Sequence, residues 1–78
     1  MIQELDSVVL AEDIQNLKLT KGDIGTVVLV HNDGEGYEVE FMTLSGITIA
    51  VTTLFPSQIR IIREMEIANA RNLDLLVA

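Results

Sequence analysis

Residues 21–41, KGDIGTVVLVHNDGEGYEVEF, constrain the fold more than any other stretch of the chain. They place four of the five glycines in a run of β-branched and apolar residues. Residues 24–31 are strong strand formers, and Asp33-Gly34 is typical of a hairpin turn with a positive φ. The stretch therefore predicts two antiparallel strands joined by a short loop.

The second of these strands, residues 37–43, alternates apolar and polar side chains with a period of two. Its two faces therefore differ, with Tyr37, Val39 and Phe41 on one and Glu38 and Glu40 on the other. Such alternation predicts a strand with one face in the core and one face in solvent.

Three more short strands are predicted, at residues 5–11, 47–52 and 59–62. Residues 14–20 predict an irregular connection. Pro56 interrupts the strand pattern, and Ser57-Gln58 is predicted to form one tight helical turn before the last strand. In residues 47–52, Ile47, Ile49 and Val51 alternate with Thr48, Ala50 and Thr52.

This order of elements predicts a mainly β fold, a small five-stranded SH3-like barrel over residues 1–62. A twisted open sheet covered by the C-terminal segment is the alternative. In the extension over residues 63–78, apolar residues recur at intervals of three and four, which favours a helical segment over a strand. An irregular tail is the other option, and in both cases we expect it to pack on the barrel or on a partner.

The glycines are interpreted as backbone devices and not as a phosphate-binding loop. A nucleotide loop needs its glycines to lead into a helix, whereas Gly25 is followed by Thr-Val-Val-Leu-Val. No cofactor is predicted. The residues assigned to structural turns are Gly22, Asp23, Gly25, Gly34, Gly36 and Gly46. Gly25, next to a strand start, is expected to allow either a β-bulge or a close strand crossing.

Catalytic and metal-binding residues are not predicted. The single histidine, His31, has no second histidine or nucleophile in a suitable context. Glu38 and Glu40 share a strand face, and without a cleft lined by aromatic residues we interpret them as a solvated acidic strip. Asp33 and Glu35 lack the ligand number of a calcium loop. We therefore do not expect an enzyme.

Twelve acidic residues against five basic ones give a formal charge of −7. This balance disfavours nucleic acid as a partner, because phosphate binding needs a basic face. A local patch of Lys18, Lys21, Arg60 and Arg63 is the exception to consider. An acidic surface is better suited to a basic protein partner reached by electrostatic steering.

The sequence predicts neither a signal peptide nor a membrane-spanning segment. No basic and apolar leader begins the sequence, and no apolar run is long enough to cross a membrane. The chain contains no cysteine, so disulfides are excluded. The expected location is the cytoplasm.

Several elements occur in an order that points to a known family. They are Asp6-x-Val8-x-Leu10, Leu19-x-x-Gly22-Asp23-x-Gly25-Thr26-Val27-Val28, Gly36-Tyr37-x-Val39-Glu40-Phe41, and Thr53-Leu54 ahead of Ile59-Arg60. Over residues 5–60 the chain resembles the bacterial family called domain of unknown function 4926. The resemblance implies a compact SH3-like β-barrel without an established enzymatic activity, and an antitoxin or accessory role beside a second small protein.

Three functional hypotheses follow. The first is a non-catalytic protein-interaction module, with candidate contact residues Glu38, Glu40, Leu73, Leu75, Leu76 and Val77. The second is a structural homo-oligomer, such as a homodimer, because residues 24–31 are apolar on both predicted faces, Ile24, Val28 and Val30 alternating with Val27 and Leu29. The third is nucleic-acid binding of the KOW kind, although the basic residues of those modules are missing.

Overall fold

The computed structural model describes residues 1–73 and consists of strands joined by turns. The five strands are β1 (Ser7–Leu10), β2 (Ile24–His31), β3 (Gly36–Met42), β4 (Thr48–Leu54) and β5 (Ile59–Ile61). Two short 3-10 turns, Gln15–Leu17 and Pro56–Gln58, precede β2 and β5. The prediction of a mainly β fold is confirmed, and the predicted strand ends agree with the observed ones to within about two residues.

All strands belong to one antiparallel sheet in the order β4-β3-β2-β1-β5. Strands β2, β3 and β4 form a meander, and β5 returns to pair with β1. This order leaves β4 and β5 at the two edges of an open sheet. Closure into an SH3-like barrel stays a prediction, since β4 pairs only with β3 among the described residues.

The core lies on one face of the sheet, as the alternation in β3 predicts. Tyr37, Val39 and Phe41 are buried, whereas Glu38 and Glu40 lie on the opposite face. The other buried side chains come from all remaining strands and the first loop: Val8, Val9, Leu10, Leu19, Val27, Leu54 and Ile59. Burial of these apolar groups is the main force that holds so small a sheet together.

A β-bulge changes the expected faces of β2. The register shifts between Val27 and Leu29, so that Val28 is an extra residue without a partner on β3. Val27 and Val30 consequently share the inner face, and Leu29 lies on the outer face opposite Glu38. The alternation predicted from the sequence, which grouped Val30 with Val28, was wrong at this point.

The surplus apolar side chains of β2 remain partly exposed. Ile24, Val28 and Leu29 are each about two-fifths exposed. In β4 the inner face is formed by Ala50, Thr52 and Leu54, because they pair with the buried residues of β3. Val51 pairs with Glu40 and faces outward. The outer face of the sheet therefore carries apolar side chains between its polar ones.

Gly25 allows β2 and β3 to approach closely in the core. A Cβ atom at Gly25 would lie 2.6 Å from Val39 Cγ1, 2.8 Å from Phe41 Cε1 and 3.0 Å from the Glu40 carbonyl oxygen. The two distances to side-chain atoms are shorter than real Cβ contacts, and the distance to the carbonyl oxygen is tighter than most of them. Gly25 thus serves a close strand approach, which was one of the two roles predicted for it.

Each of the three loops between β1 and β4 contains residues with a positive φ angle. Gly22 and Gly46 have φ angles of 97° and 93° in the loops before β2 and β4. In the β2–β3 loop, Asn32, Asp33 and Gly34 all have positive φ. Gly36, assigned to a turn from the sequence, is instead the first residue of β3 and pairs with His31.

The C-terminal extension contains no helix within residues 62–73, where only a turn at residues 64–65 is found. The helical spacing therefore gave the wrong conformation for this part, and the irregular alternative is the observed one. Ile67 is 94% exposed, so the spacing did not create a buried helix face. No helix among the described residues is long and apolar enough to span a membrane.

We predict that Gly25→Ala lowers the free energy of unfolding by about 2 kcal/mol, because the added methyl group overpacks the core. Gly36→Ala is the matched control, since Gly36 is also buried and its Cβ would lie no closer than 3.8 Å to another atom. We expect a change below about 1 kcal/mol there. Urea denaturation followed by circular dichroism measures both, and equal midpoints would contradict the close approach.

Candidate functional site

The outer face of the sheet carries a polar row centred on Glu38. His31 Nε2 lies 2.8 Å from Glu38 Oε2, and the Thr53 hydroxyl donates a hydrogen bond to the same oxygen. The three residues belong to β2, β3 and β4, and Glu38 and Thr53 are direct cross-strand neighbours. Strand pairing therefore fixes the carboxylate between two polar side chains.

These contacts lower the pKa of Glu38. The largest cause is the hydrogen bond from Thr53, and the hydrogen bond with His31 comes next. Both favour the charged carboxylate over the neutral acid. Glu38 therefore carries a negative charge that its neighbours stabilise, on a face where His31 is 41% exposed.

Glu40 repeats the arrangement two residues along β3. Its Oε2 accepts a hydrogen bond of 2.6 Å from the Thr48 hydroxyl of β4. Val51, the direct partner of Glu40 on β4, lies on the same face and is 53% exposed. Two carboxylates are thus held toward β4 with an exposed apolar side chain beside them.

A second feature is a groove between the sheet and the C-terminal extension, with a volume of about 830 Å³. Its sheet side is mostly apolar, and its other wall is residues 68–73. The apolar side chains on the sheet side come from Leu19, Ile24, Phe41, Met42, Leu44 and Ile49. The extension therefore lies across the end of the sheet without filling the space beneath it.

An ion pair between Arg71 and Asp23 fixes the extension over this groove. Arg71 Nε donates to Asp23 Oδ1 at 2.7 Å, and Nη2 donates to Oδ2 at 2.6 Å and to the Lys18 carbonyl oxygen at 3.1 Å. Asp23 also accepts hydrogen bonds from the Thr20 N–H and hydroxyl. Two-point Arg–carboxylate pairing of this kind is specific in direction.

Burial acts to raise the pKa of Asp23, but the hydrogen bonds from Arg71 and from Thr20 outweigh it. The net result is a pKa below the ordinary value of 3.8. Asp23 is thus both a turn residue, as the sequence predicted, and the anchor of the extension.

A second ion pair joins β5 to the start of the extension. Arg60 Nη1 and Nη2 donate to Glu66 Oε1 and Oε2 at 2.8 and 2.5 Å, and the Arg63 N–H also donates to Oε1. Arg60 is the main reason that the pKa of Glu66 falls to about 2, with the Arg63 N–H second. Of the four cations of the predicted basic patch, Arg60 is therefore engaged with a carboxylate.

The structure separates the predicted contact residues into two places. Glu38 and Glu40 lie on the outer face of β3, whereas Leu73 lines the groove beside Phe41, on the inner side. Leu75, Leu76 and Val77 lie outside the described residues. The predicted acidic face and apolar tail thus do not form one surface in residues 1–73.

Sequence reasoning missed the partners of the acidic residues. Thr53 could have been found from the strand register, since it lies directly opposite Glu38, whereas Thr48 pairs with Met42 beyond a register shift and could not. The ion pair of Arg71 with Asp23 joins residues 48 positions apart, and no local pattern marks it. Within residues 1–73 no group of three or more histidine, aspartate or glutamate side chains could hold a metal ion.

One family model matches the chain over most of its length. The family model described as domain of unknown function (DUF4926) matches residues 4–61. The chain belongs to the DUF4926 family. The resemblance predicted from the sequence is therefore confirmed, and no curated protein and no solved structure matches the chain. The DUF4926 match covers all five strands and the row around Glu38, but ends before Arg71.

We predict that Arg71→Met separates residues 68–73 from the groove, while the free energy of unfolding falls by only about 0.2–1 kcal/mol, as is usual for a partly exposed ion pair. Loss of nuclear Overhauser contacts between Leu73 and the groove would report the separation. Arg60→Met is the control, because it breaks the other ion pair and leaves Asp23 in place.

The same ion pair should respond to acid with a defined sign. Because the pKa of Asp23 is lower in the folded state, its contribution is complete above 3.8 and is lost as the pH falls through the lowered value. Release of the extension near neutral pH, at unchanged salt, would contradict this assignment.

We further predict that Thr53→Val raises the pKa of Glu38 toward its ordinary value of 4.5, because the largest stabilising hydrogen bond is removed. A carboxyl-detected nuclear magnetic resonance titration measures this. Thr48→Val is the matched control, since Thr48 donates to Glu40, and it should leave the Glu38 titration unchanged.

Proposed function

We propose that this DUF4926 chain is a non-catalytic protein-interaction module that binds a basic protein through the outer face of β3 and β4. The role fits an antitoxin or an accessory partner of a neighbouring protein. The observation that supports it is the pair of carboxylates of Glu38 and Glu40, each held by a threonine of β4 beside the exposed Val51.

Fixed charges beside apolar side chains are suited to protein recognition. Charges held in place lose little side-chain entropy on binding, and complementary charges raise the association rate and select the partner. Val51 and Leu29, 53% and 44% exposed, supply apolar area on the same face. The chain's formal charge of −7 attracts a basic protein over a longer range.

Two arginines of the chain are paired elsewhere and do not compete with a partner for Glu38 and Glu40. Arg60 and Arg71 are each engaged with a carboxylate, and both pairs involve the extension and not β3 or β4. Neither arginine therefore pairs with Glu38 or Glu40, so both carboxylates can still receive an external cation, Glu38 alongside His31. This supports a basic protein over a nucleic acid as the partner.

We also propose that the fold is an SH3-like barrel. The strand order and the 3-10 turn immediately before β5 are those expected of it. In such folds recognition is carried by surface residues on a rigid β scaffold. Because the family match includes β3 and β4 but not residues 62–78, we assign binding to the sheet and not to the extension.

Affinity capture from cells of the native host tests the proposal. The wild-type chain and the double variant Glu38→Lys with Glu40→Lys are compared at low and high salt. We expect one basic protein to be retained by the wild type, released by salt, and lost in the variant.

The matched control is Glu4→Lys with Glu64→Lys, which changes the net charge equally at two exposed positions off this face. Retention by this control shows that position, and not total charge, decides binding. If both double variants retain the partner as the wild type does, the acidic face is not the binding surface.

A further inference from the structure

The edge of β4 is unusually open to strand pairing. β4 has seven residues, TIAVTTL, of which five are β-branched and none is charged, glycine or proline. Within residues 1–73, its only strand partner is β3, and no further backbone hydrogen bond involves residues 48–54. Long, uncharged edge strands are templates for pairing with another chain.

The opposite edge of the sheet is protected by the usual devices. β5 has only three residues, and its central Arg60 is paired with Glu66. Shortness and charge both discourage strand pairing. Only one of the two edges, the one beside Glu38 and Glu40, is therefore suited to accept a strand.

The carboxylates of Glu38 and Glu40 both accept a hydrogen bond from the edge strand β4. Thr48 donates to Glu40 Oε2, and Thr53 donates to Glu38 Oε2, which also contacts His31 on the other side of β3. Oε1 of neither residue accepts a hydrogen bond from the described part of the chain. Each carboxylate therefore retains an oxygen that can accept a hydrogen bond from a partner.

We propose that the β4 edge accepts an extended segment of a basic partner as an added strand, with lysine or arginine residues two positions apart beside Glu38 and Glu40. Neighbouring strands lie about 4.8 Å apart, so a residue of the added strand lies about 10 Å from β3. The long side chain of lysine or arginine reaches across β4 to a carboxylate that is already hydrogen-bonded to this strand. Main-chain hydrogen bonds supply affinity, and the spacing of the cations supplies specificity.

A second copy of this chain is a poorer occupant of the edge. β4 has no cation to offer the two glutamates, and pairing two copies would bring together two chains of formal charge −7. A basic segment neutralises the carboxylates that a second copy would leave unpaired. The inference rests on the proposed function and specifies its edge and the chemistry of its partner.

The test uses an end-blocked peptide of alternating valine and lysine as the probe and the full chain as the receptor. We expect saturable binding by calorimetry and slower amide exchange confined to residues 48–54. A peptide with glutamate in place of lysine should not bind. N-methylation of alternate amides keeps the charge and removes strand pairing, so it should abolish binding.

Val51→Lys is the deciding variant, because it places a cation on the edge, and we expect binding to weaken about tenfold. Ile61→Lys is its control, a half-exposed residue on the other edge strand that receives the same charge. Both variants are checked for an unchanged fold by circular dichroism.

The outcomes separate this inference from the proposed function. Equal binding of the plain and N-methylated peptides overturns strand addition and leaves the acidic face as the binding surface. Failure of the plain peptide to bind also overturns strand addition, and partner capture then decides the proposed function. A dimer of the free chain that Val51→Lys dissolves would assign the edge to a second copy.

Discussion

The close packing of β2 on β3 at Gly25 is the constraint on which the rest of the structure depends. It brings the β2 backbone against the side chains of Val39 and Phe41, so that these side chains can be buried by a very small sheet. Because successive residues of a strand face opposite sides, burying Val39 and Phe41 fixes Glu38 and Glu40 on the outer face. The polar surface is thus a direct result of how the core is filled.

The strands could be predicted because period-two alternation and turn residues are local signals. β3 is the clearest case, since Tyr37 to Phe41 alternates without interruption. The faces of β2 could not be predicted beyond Val27, because an extra residue among consecutive valines leaves no mark in composition. The inward face of β4 was also ambiguous, since small and polar residues occupy it where the larger Val51 faces out.

Only part of the candidate site could be predicted from the sequence, because only part of it depends on local signals. Glu38 and Glu40 were identifiable as an acidic strip, but their hydrogen bonds with Thr48 and Thr53 depend on the β3–β4 register. The spacing of apolar residues in the extension predicted a helix that residues 62–73 do not form. A local pattern of this kind carries no information about contacts with residues far along the chain. Arg71 and Asp23 instead hold the segment in an irregular conformation across the groove.

The bulge at Val28 has a consequence for the meaning of sequence positions in β2. The strand contains one residue more than its pairing with β3 needs, so a chain without Val28 would keep Val30 opposite Tyr37 and His31 opposite Gly36. The imidazole would then stay beside Glu38, and β2 would pair with β3 without interruption. In the present chain, uninterrupted pairing through Val28 would instead turn Val30 outward and His31 inward, so the unpaired residue is what keeps this histidine on the outer face.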